Sequence, residues 1–166
     1  MPASQSDHPR TLISPMRVFR IGDAQGRFPI FSGEGAALVD DARWHELGQD
    51  VIYTSEHYST AMLEKLAHCN GALPSNQHFM AIAIPLGTSY EAVTKDSLPG
   101  WIDEPVARMF GATWFAERRT AILVIPSFVA REEHNVLINP HHADFKGIVP
   151  DRECPVWWDP RLFARR

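Results

Sequence analysis

Short apolar runs that end at prolines or glycines recur along the sequence, and they predict more strands than helices. Residues 16–21 alternate charged and apolar side chains, which is typical of a half-buried strand. Because proline has no N–H to donate, the prolines that follow several of these runs favour strand ends. Further strands are predicted at residues 50–55, 79–86, 120–128, 135–140 and 154–159.

One segment has a clear helical pattern. Apolar side chains recur at helical spacing through residues 56–71, and Asn70-Gly71 supplies a stop. A second, shorter helix is predicted near residues 104–110, with a turn at Gly111. Together these elements predict an α+β fold in a single domain, with twisted mixed or antiparallel β-sheets and few helices.

The length of 166 residues fits one domain. We predict a loose N-terminal leader at residues 1–14 and a folded domain at residues 15–166. The leader lacks the apolar stretch of a secretory signal, and two cysteines without a CxxC pattern fit a reducing cytosol, so a cytoplasmic protein is expected. The net charge of −4 argues against a broad nucleic-acid surface, and no apolar run is long enough to predict a membrane span.

A lone serine follows the apolar run of residues 120–126. By position alone Ser127 is more typical of a residue that turns the chain after Pro126, although a ligand site at the strand end is the alternative. The GxSxG pattern of a hydrolase nucleophile is absent. Glu64 lies inside the predicted helix, where it is either a solvated surface residue or a carboxylate that faces a cleft.

Two arginines and a tyrosine have similar alternatives. Arg20 and Arg43 are either surface charges or phosphate ligands, since the planar guanidinium forms paired hydrogen bonds with phosphate oxygens. Tyr53, in a predicted strand, either packs in the core or offers its ring to a planar ligand and its hydroxyl to the ligand edge.

A histidine pair in the sequence NPHHAD raises the question of a metal centre. His141 and His142 lie near Asp144, but adjacent residues of a strand point to opposite faces, and no HExxH motif is present. A rigid turn whose side chains bond the backbone is the favoured interpretation. Glycine-rich phosphate loops of the GxGxxG or Walker type are also absent from the sequence.

Four segments together carry a more specific pattern. They are FRIG (19–22), the block 31–68 with its Arg-Trp pair, Tyr-Thr-Ser strand end and glutamate-bearing helix, the block 122–145 with Pro-Ser and NVLINP, and VWWDPRLF (156–163). Their order and spacing resemble the RES-domain family, the toxin halves of bacterial Xre-type toxin–antitoxin pairs.

The resemblance implies a fold like that of ADP-ribosyltransferase toxins and NAD as the substrate, with no metal. It implies a toxin of a type II toxin–antitoxin system, which cleaves the nicotinamide–ribose bond and transfers ADP-ribose to a protein or to water. The implied partners are a cognate Xre-type antitoxin and a protein acceptor, without direct binding of nucleic acid or membrane. A non-catalytic nucleotide-binding or interaction module with the same fold is the alternative.

The family is named for an arginine, a glutamate and a serine, which match Arg43, Glu64 and Ser127 here, and Arg20 and Tyr53 match further pocket positions. The resemblance implies that Glu64 stabilises the cation formed on the ribose, that both arginines hold the diphosphate, that Tyr53 stacks on nicotinamide, and that Ser127 orients the substrate.

One departure from the family pattern concerns the loop before the helix. Asp41-Ala42-Arg43-Trp44-His45 replaces the usual Gly-Gly-Arg-Trp-Asn, which removes backbone freedom from that loop but keeps the arginine.

Overall fold

A computed structural model describes residues 9–163, which form a nine-stranded, mostly antiparallel sheet and two α-helices. The strand order is β1-β5-β6-β7-β3-β2-β4-β8, and β9 also pairs with β4. This architecture confirms the predicted α+β class. The elements are β1 (Arg10–Thr11), β2 (Met16–Asp23), β3 (Ile52–Ser55), α1 (Tyr58–His68), β4 (Gln77–Ile84), β5 (Ser89–Ala92), α2 (Glu104–Glu117), β6 (Ile122–Pro126), β7 (His134–Ile138), β8 (Val149–Pro150) and β9 (Cys154–Pro155).

The centre of the sheet is built from β6, β7 and β3, whose side chains alternate between two buried clusters. Leu123 and Ile125 point to the face covered by α2, where Trp114 is fully buried. Ile122 points to the opposite face, into a second cluster with residues of β2 and β4. This alternation is the two-residue period of a strand buried on both faces.

The two helices are placed by different constraints. Strands β5 and β6 are parallel, so the chain must cross from one end of the sheet to the other, and α2 forms part of that crossover. Helix α1 packs on β2 and β3, with the Tyr58 ring edge-on to Phe19 and Phe79. As predicted, α1 ends before Asn70 and Gly71, which both have positive φ angles of 49° and 81°.

Most predicted strands are confirmed to within a few residues of their ends, but the strand at 154–159 is wrong beyond its first two residues. Pro155 cannot donate to the ladder, and the chain leaves the sheet soon afterwards, with Trp157 73% exposed. Strand β5, which has only four residues, is not among the predicted strands.

The predicted boundary at residue 14 stays a prediction, and residues 1–8 of the predicted leader lie outside the described residues. Strand β1 (Arg10–Thr11) falls within the predicted leader and pairs with β5. Across residues 9–163 we find no helix with the length and apolar character needed to span a membrane.

The predicted turn at Gly111 is wrong, because α2 continues through this residue to Glu117. Gly111 instead lies against the backbone of Trp44, and a Cβ atom built there would be only 2.1 Å from the Trp44 carbonyl oxygen. The glycine is therefore required for close packing between α2 and the loop that carries Trp44 and His45.

We expect Gly111→Ala to destabilise the protein by about 1–3 kcal/mol, although alanine is the better helix former, because the added methyl group has no space. Urea unfolding measures the change. Gly35→Ala is the matched control, since its Cβ would only meet Phe28 at an ordinary 3.7 Å. Equal stability of the two variants would contradict the packing role of Gly111.

Candidate active site

An open cleft with a volume of about 210 Å³ lies between α1 and the strands β2, β3 and β7. Helix α1 contributes one stripe of side chains at i, i+3, i+4 and i+7, which is the spacing of a single helix face. The lining residues are Phe19, Arg20, Ile21, Tyr53, Thr54, Ser55, Ala61, Glu64, Lys65, His68 and Asn135.

The carboxylate of Glu64 is held by one of its two oxygens. Oε1 accepts a hydrogen bond from Ser127 Oγ at 2.8 Å and another from Asn135 Nδ2 at 2.6 Å. Within residues 9–163, Oε2 has no hydrogen-bond partner. The side chain is thus anchored at one oxygen and has the other available to a molecule in the cleft.

Ser127 is fully buried and bonded within the protein. Its hydroxyl donates to Glu64 and accepts from the Ala130 N–H at 3.0 Å, which closes a turn after β6. The turn interpretation is thus consistent with the bond to Ala130, and Ser127 in addition holds the cleft residue Glu64. Contact between Ser127 and a substrate stays a prediction, because the cleft lining does not include it.

Arg20 lies at the cleft with its guanidinium bonded to three backbone carbonyls. Nε donates to Ile30, Nη1 to Tyr53 at 2.7 Å and Nη2 to Ser32 at 3.2 Å. These bonds tie the loop at residues 30–32 to β3. Burial lowers the pKa of Arg20 to about 10, so the side chain is still a cation at neutral pH.

Tyr53 is among the residues that line the cleft, but its ring packs against the buried cluster on the α2 face and its hydroxyl bonds His45. The distance from the hydroxyl to His45 Nδ1 is 2.7 Å, and His45 Nε2 lies 2.7 Å from the Ala36 carbonyl oxygen. Because a carbonyl only accepts, Nε2 carries the proton and the tyrosine donates to Nδ1. Burial raises the pKa of Tyr53 and lowers that of His45, so both are neutral near pH 7.

Arg43 is placed differently from the other predicted site residues. Its guanidinium lies over the ring of Phe128, 4.0 Å from the ring centre, and Nη1 donates to the Ile102 carbonyl at 2.8 Å. Phe128 follows Ser127 directly, yet Arg43 is not among the residues that line the cleft. The structure thus brings together Arg20, Tyr53 and Glu64 at the cleft, whereas Ser127 supports Glu64 from behind and Arg43 lies apart.

The histidine pair has the contacts of a rigid turn. His141 lies 2.6 Å from the Asp50 carboxylate, whereas His142 accepts from the Asp144 backbone N–H. The Asn139 side chain accepts from the His141 backbone N–H, as the turn interpretation predicts. In the part of the chain that the structure describes, no three histidine, cysteine or acidic side chains are placed to hold a metal ion.

Sequence reasoning missed several residues of the cleft. Asn135 is a polar residue at the start of the otherwise apolar run NVLI, and this contrast is the sequence feature that could have indicated a site residue. Lys65 and His68 could have been predicted as neighbours of Glu64 in the cleft, because helical spacing places them close to the same helix face. Ser55 and the supporting His45 gave no signal, because their roles depend on partners that are distant in the sequence.

We expect the free energy of unfolding to fall as the pH drops below about 6.5, in part because of His45. The pKa of His45 is lowered in the folded protein, so the unfolded chain takes up a proton that the buried imidazole resists. The contribution of His45 to stability is fully present above the pKa of the unfolded chain, and it is lost as the pH falls toward the lower pKa of the folded protein.

Urea unfolding at several pH values, in the parent and in His45→Gln, measures the effect. The variant should show a smaller loss between pH 7 and pH 5, and His68→Gln controls for removal of an exposed imidazole. Identical slopes in the parent and His45→Gln would contradict the assignment.

The chain is similar to known proteins along most of its length. Residues 17–159 match the model of the RES domain. A protein of Sphingobium sp. named "Prs ADP-ribosylating toxin" is 38% identical over an alignment of 141 residues, and the match covers 81% of this chain and 87% of that protein. A "Toxin Res" of Photorhabdus laumondii is 32% identical over an alignment of 120 residues, and the match covers 69% of this chain and 76% of that protein.

A solved structure has the same fold. The crystal structure of the M. tuberculosis MbcT–MbcA toxin–antitoxin complex contains a chain that aligns with a TM-score of 0.67 and 15% identity, over 87% of this chain and 85% of that chain. The family model covers nearly all of the sheet and both helices, and the sequence relatives agree with it. The chain belongs to the RES-domain family.

Proposed function

We propose that this protein is the toxin of a type II toxin–antitoxin system, which breaks the nicotinamide–ribose bond of NAD and transfers the ADP-ribose to a protein or to water. The observation that carries the proposal is the Glu64 carboxylate, which is anchored through Oε1 and has Oε2 available at the cleft. The similarity to a protein named as an ADP-ribosylating toxin supports the same chemistry.

The reaction requires a negative charge beside the ribose. As the bond from ribose C1′ to the nicotinamide nitrogen breaks, its electron pair stays on nitrogen and nicotinamide leaves as a neutral molecule. Positive charge develops on the ribose, as in other glycosyl transfers. Glu64 stabilises this charge as it forms, because a fixed carboxylate in a partly buried site needs little rearrangement.

The second half of the reaction forms a bond between C1′ and the acceptor. A hydroxyl, amine or carboxyl oxygen of a protein, or a water molecule, supplies the electron pair and releases any proton that it carries. Oε2 of Glu64 can accept that proton, so the same group serves both halves. This chemistry needs no metal ion, since the leaving group requires no activation.

The size and charge of the cleft determine how NAD is placed. A volume of about 210 Å³ is smaller than the ~300–1,000 Å³ of pockets that enclose a drug-sized ligand, so we place only the nicotinamide–ribose end inside. Stacking of the Tyr53 ring on nicotinamide stays a prediction, because the ring packs against the buried cluster on the α2 face. Arg20 and Lys65 give the cleft positive charge that favours the diphosphate, and the role of Arg43 there remains a prediction.

We also propose a cognate antitoxin as the partner. The support is the related fold in a toxin–antitoxin complex, together with two relatives named as toxins. The Xre type of this antitoxin is a prediction from the family resemblance. Expression of the chain with and without the protein encoded beside it, with growth and NAD concentration measured, tests both the toxicity and its neutralisation.

We expect Glu64→Gln to lower the rate of NAD consumption at least a hundredfold while the fold is retained. The amide oxygen of glutamine can keep both bonds to Ser127 and Asn135, so mainly the charge is lost. The release of nicotinamide, with thermal unfolding of the same samples, measures both effects.

Glu132→Gln is the matched control, because it removes the same charge from an exposed position shortly after Ser127. It should consume NAD at the parental rate. A parental rate in Glu64→Gln would show that the carboxylate has been assigned the wrong role.

Incubation with NAD labelled in its adenylate part distinguishes the two acceptors. We expect labelled protein bands if ADP-ribose is transferred to a protein, and free labelled ADP-ribose if water is the acceptor. Tight binding of NAD without either product would instead support a non-catalytic nucleotide-binding module.

A further inference from the structure

Asn135 connects the Glu64 carboxylate to the centre of the sheet. Its Nδ2 donates to Glu64 Oε1 at 2.6 Å, and its Oδ1 accepts from the Ser55 hydroxyl at 2.7 Å. Ser55 is buried and Asn135 is half-buried. Both ends of the amide are therefore used, and the carboxylate is linked to β3 through β7.

The orientation of the amide follows from the chemistry of its neighbours. An ionised carboxylate only accepts hydrogen bonds, so the amide nitrogen of Asn135 must face Glu64. The amide oxygen then faces Ser55, whose hydroxyl supplies the matching donor. Ser55 and Asn135 are direct partners in the β3–β7 ladder, so the backbone fixes the distance between them.

We propose that Asn135 is a positioning residue of the reaction, and that Ser55 fixes Asn135 in turn, so that Glu64 is held with Oε1 on the protein and Oε2 at the cleft. The proposal depends on the proposed function for its chemistry, but the anchoring of Glu64 can be measured without any activity.

Two donors hold Oε1 more firmly than one. Ser127 approaches from the turn after β6, whereas Asn135 approaches from β7. With a single donor the carboxylate can rotate about that bond, and Oε2 no longer has a fixed place. Hydrogen bonds to charged groups are among the stronger ones in proteins, so the loss of either donor is expected to be measurable.

Other charged and titratable side chains share the cleft and are left unchanged by the test. They are Arg20 from β2, Tyr53 from β3, and Lys65 and His68 from α1. A comparison between variants at position 135 therefore isolates the group that contacts Glu64.

The test compares Asn135→Ala with Asn135→Asp over a range of pH. Asn135→Ala should lower kcat about tenfold to a hundredfold at every pH, with KM for NAD changed by less than about threefold. In Asn135→Asp two carboxyl groups are in contact and share one proton over a range above the ordinary carboxyl value of about 4.

While that proton is shared, the introduced carboxyl group can donate to Glu64 as the amide does. Asn135→Asp should therefore regain activity over Asn135→Ala at mildly acidic pH and lose it again as the pH rises and the proton leaves. Asn70→Asp, at the exposed end of α1, adds the same charge away from the cleft and should keep the parental pH profile. A variant that only damages the fold would lower the rate without this pH-dependent recovery.

A measurement without substrate separates this proposal from the proposed function. The carbon-13 signal of the Glu64 carboxyl group, assigned by its absence in Glu64→Gln, is compared between variants at neutral pH by nuclear magnetic resonance. We expect its chemical shift to change in Asn135→Ala, because a hydrogen-bond donor to Oε1 is lost, and to keep the parental value in Asn70→Asp.

The outcomes are distinct. An unchanged carboxyl signal and an unchanged kcat in Asn135→Ala would overturn the positioning role, and so would a raised KM with an unchanged kcat, which indicates a substrate contact. A parent protein that leaves NAD intact, but whose Glu64 carboxyl signal responds to position 135 as expected, would overturn the proposed function and leave the anchoring in place.

Discussion

The architecture around the cleft depends on a buried cation bonded to backbone oxygens. Removing a guanidinium from water is costly unless its N–H groups find acceptors, and Arg20 finds three in Ile30, Ser32 and Tyr53. These carbonyls belong to a loop and to a central strand, so the arginine fixes the two relative to each other. The loop continues to Ala36, whose carbonyl receives His45, and the cleft wall is thereby built from main chain and buried polar groups.

The Glu64 carboxylate at the cleft is likewise held by polar partners from several elements. Glu64, Ser127, Asn135 and Ser55 form a continuous series of hydrogen bonds that joins α1 to the segments carrying β3, β6 and β7. In a partly buried site each member strengthens its neighbours, and a missing partner leaves an unsatisfied group. The position of the carboxylate is therefore fixed by contacts with several segments of the sheet as well as by its own helix.

Sequence patterns predicted the elements that are determined locally. The helical spacing in α1 and the apolar runs of the central strands depend on residues within one element, and both were found. Gly111 was misinterpreted because its close approach to Trp44 joins distant parts of the chain. The family resemblance selected Glu64 and Ser127, which the structure brings into contact, but gave no sign that Arg43 lies over Phe128. Asn135 was missed because its contact with Glu64 exists only when β7 meets α1.

The separation of these partners along the chain affects when the site can form. Glu64 is 63 residues before Ser127 and 71 residues before Asn135. The residues of α1 are synthesised first, and the Glu64 carboxylate has no anchor until the later segments follow. At ~5–20 residues per second, this delay is roughly 4–14 seconds of translation. During that interval the growing chain carries the Glu64 carboxylate without the two donors that fix Oε1, so a chain that ends before Asn135 has a cleft whose carboxylate is only partly anchored.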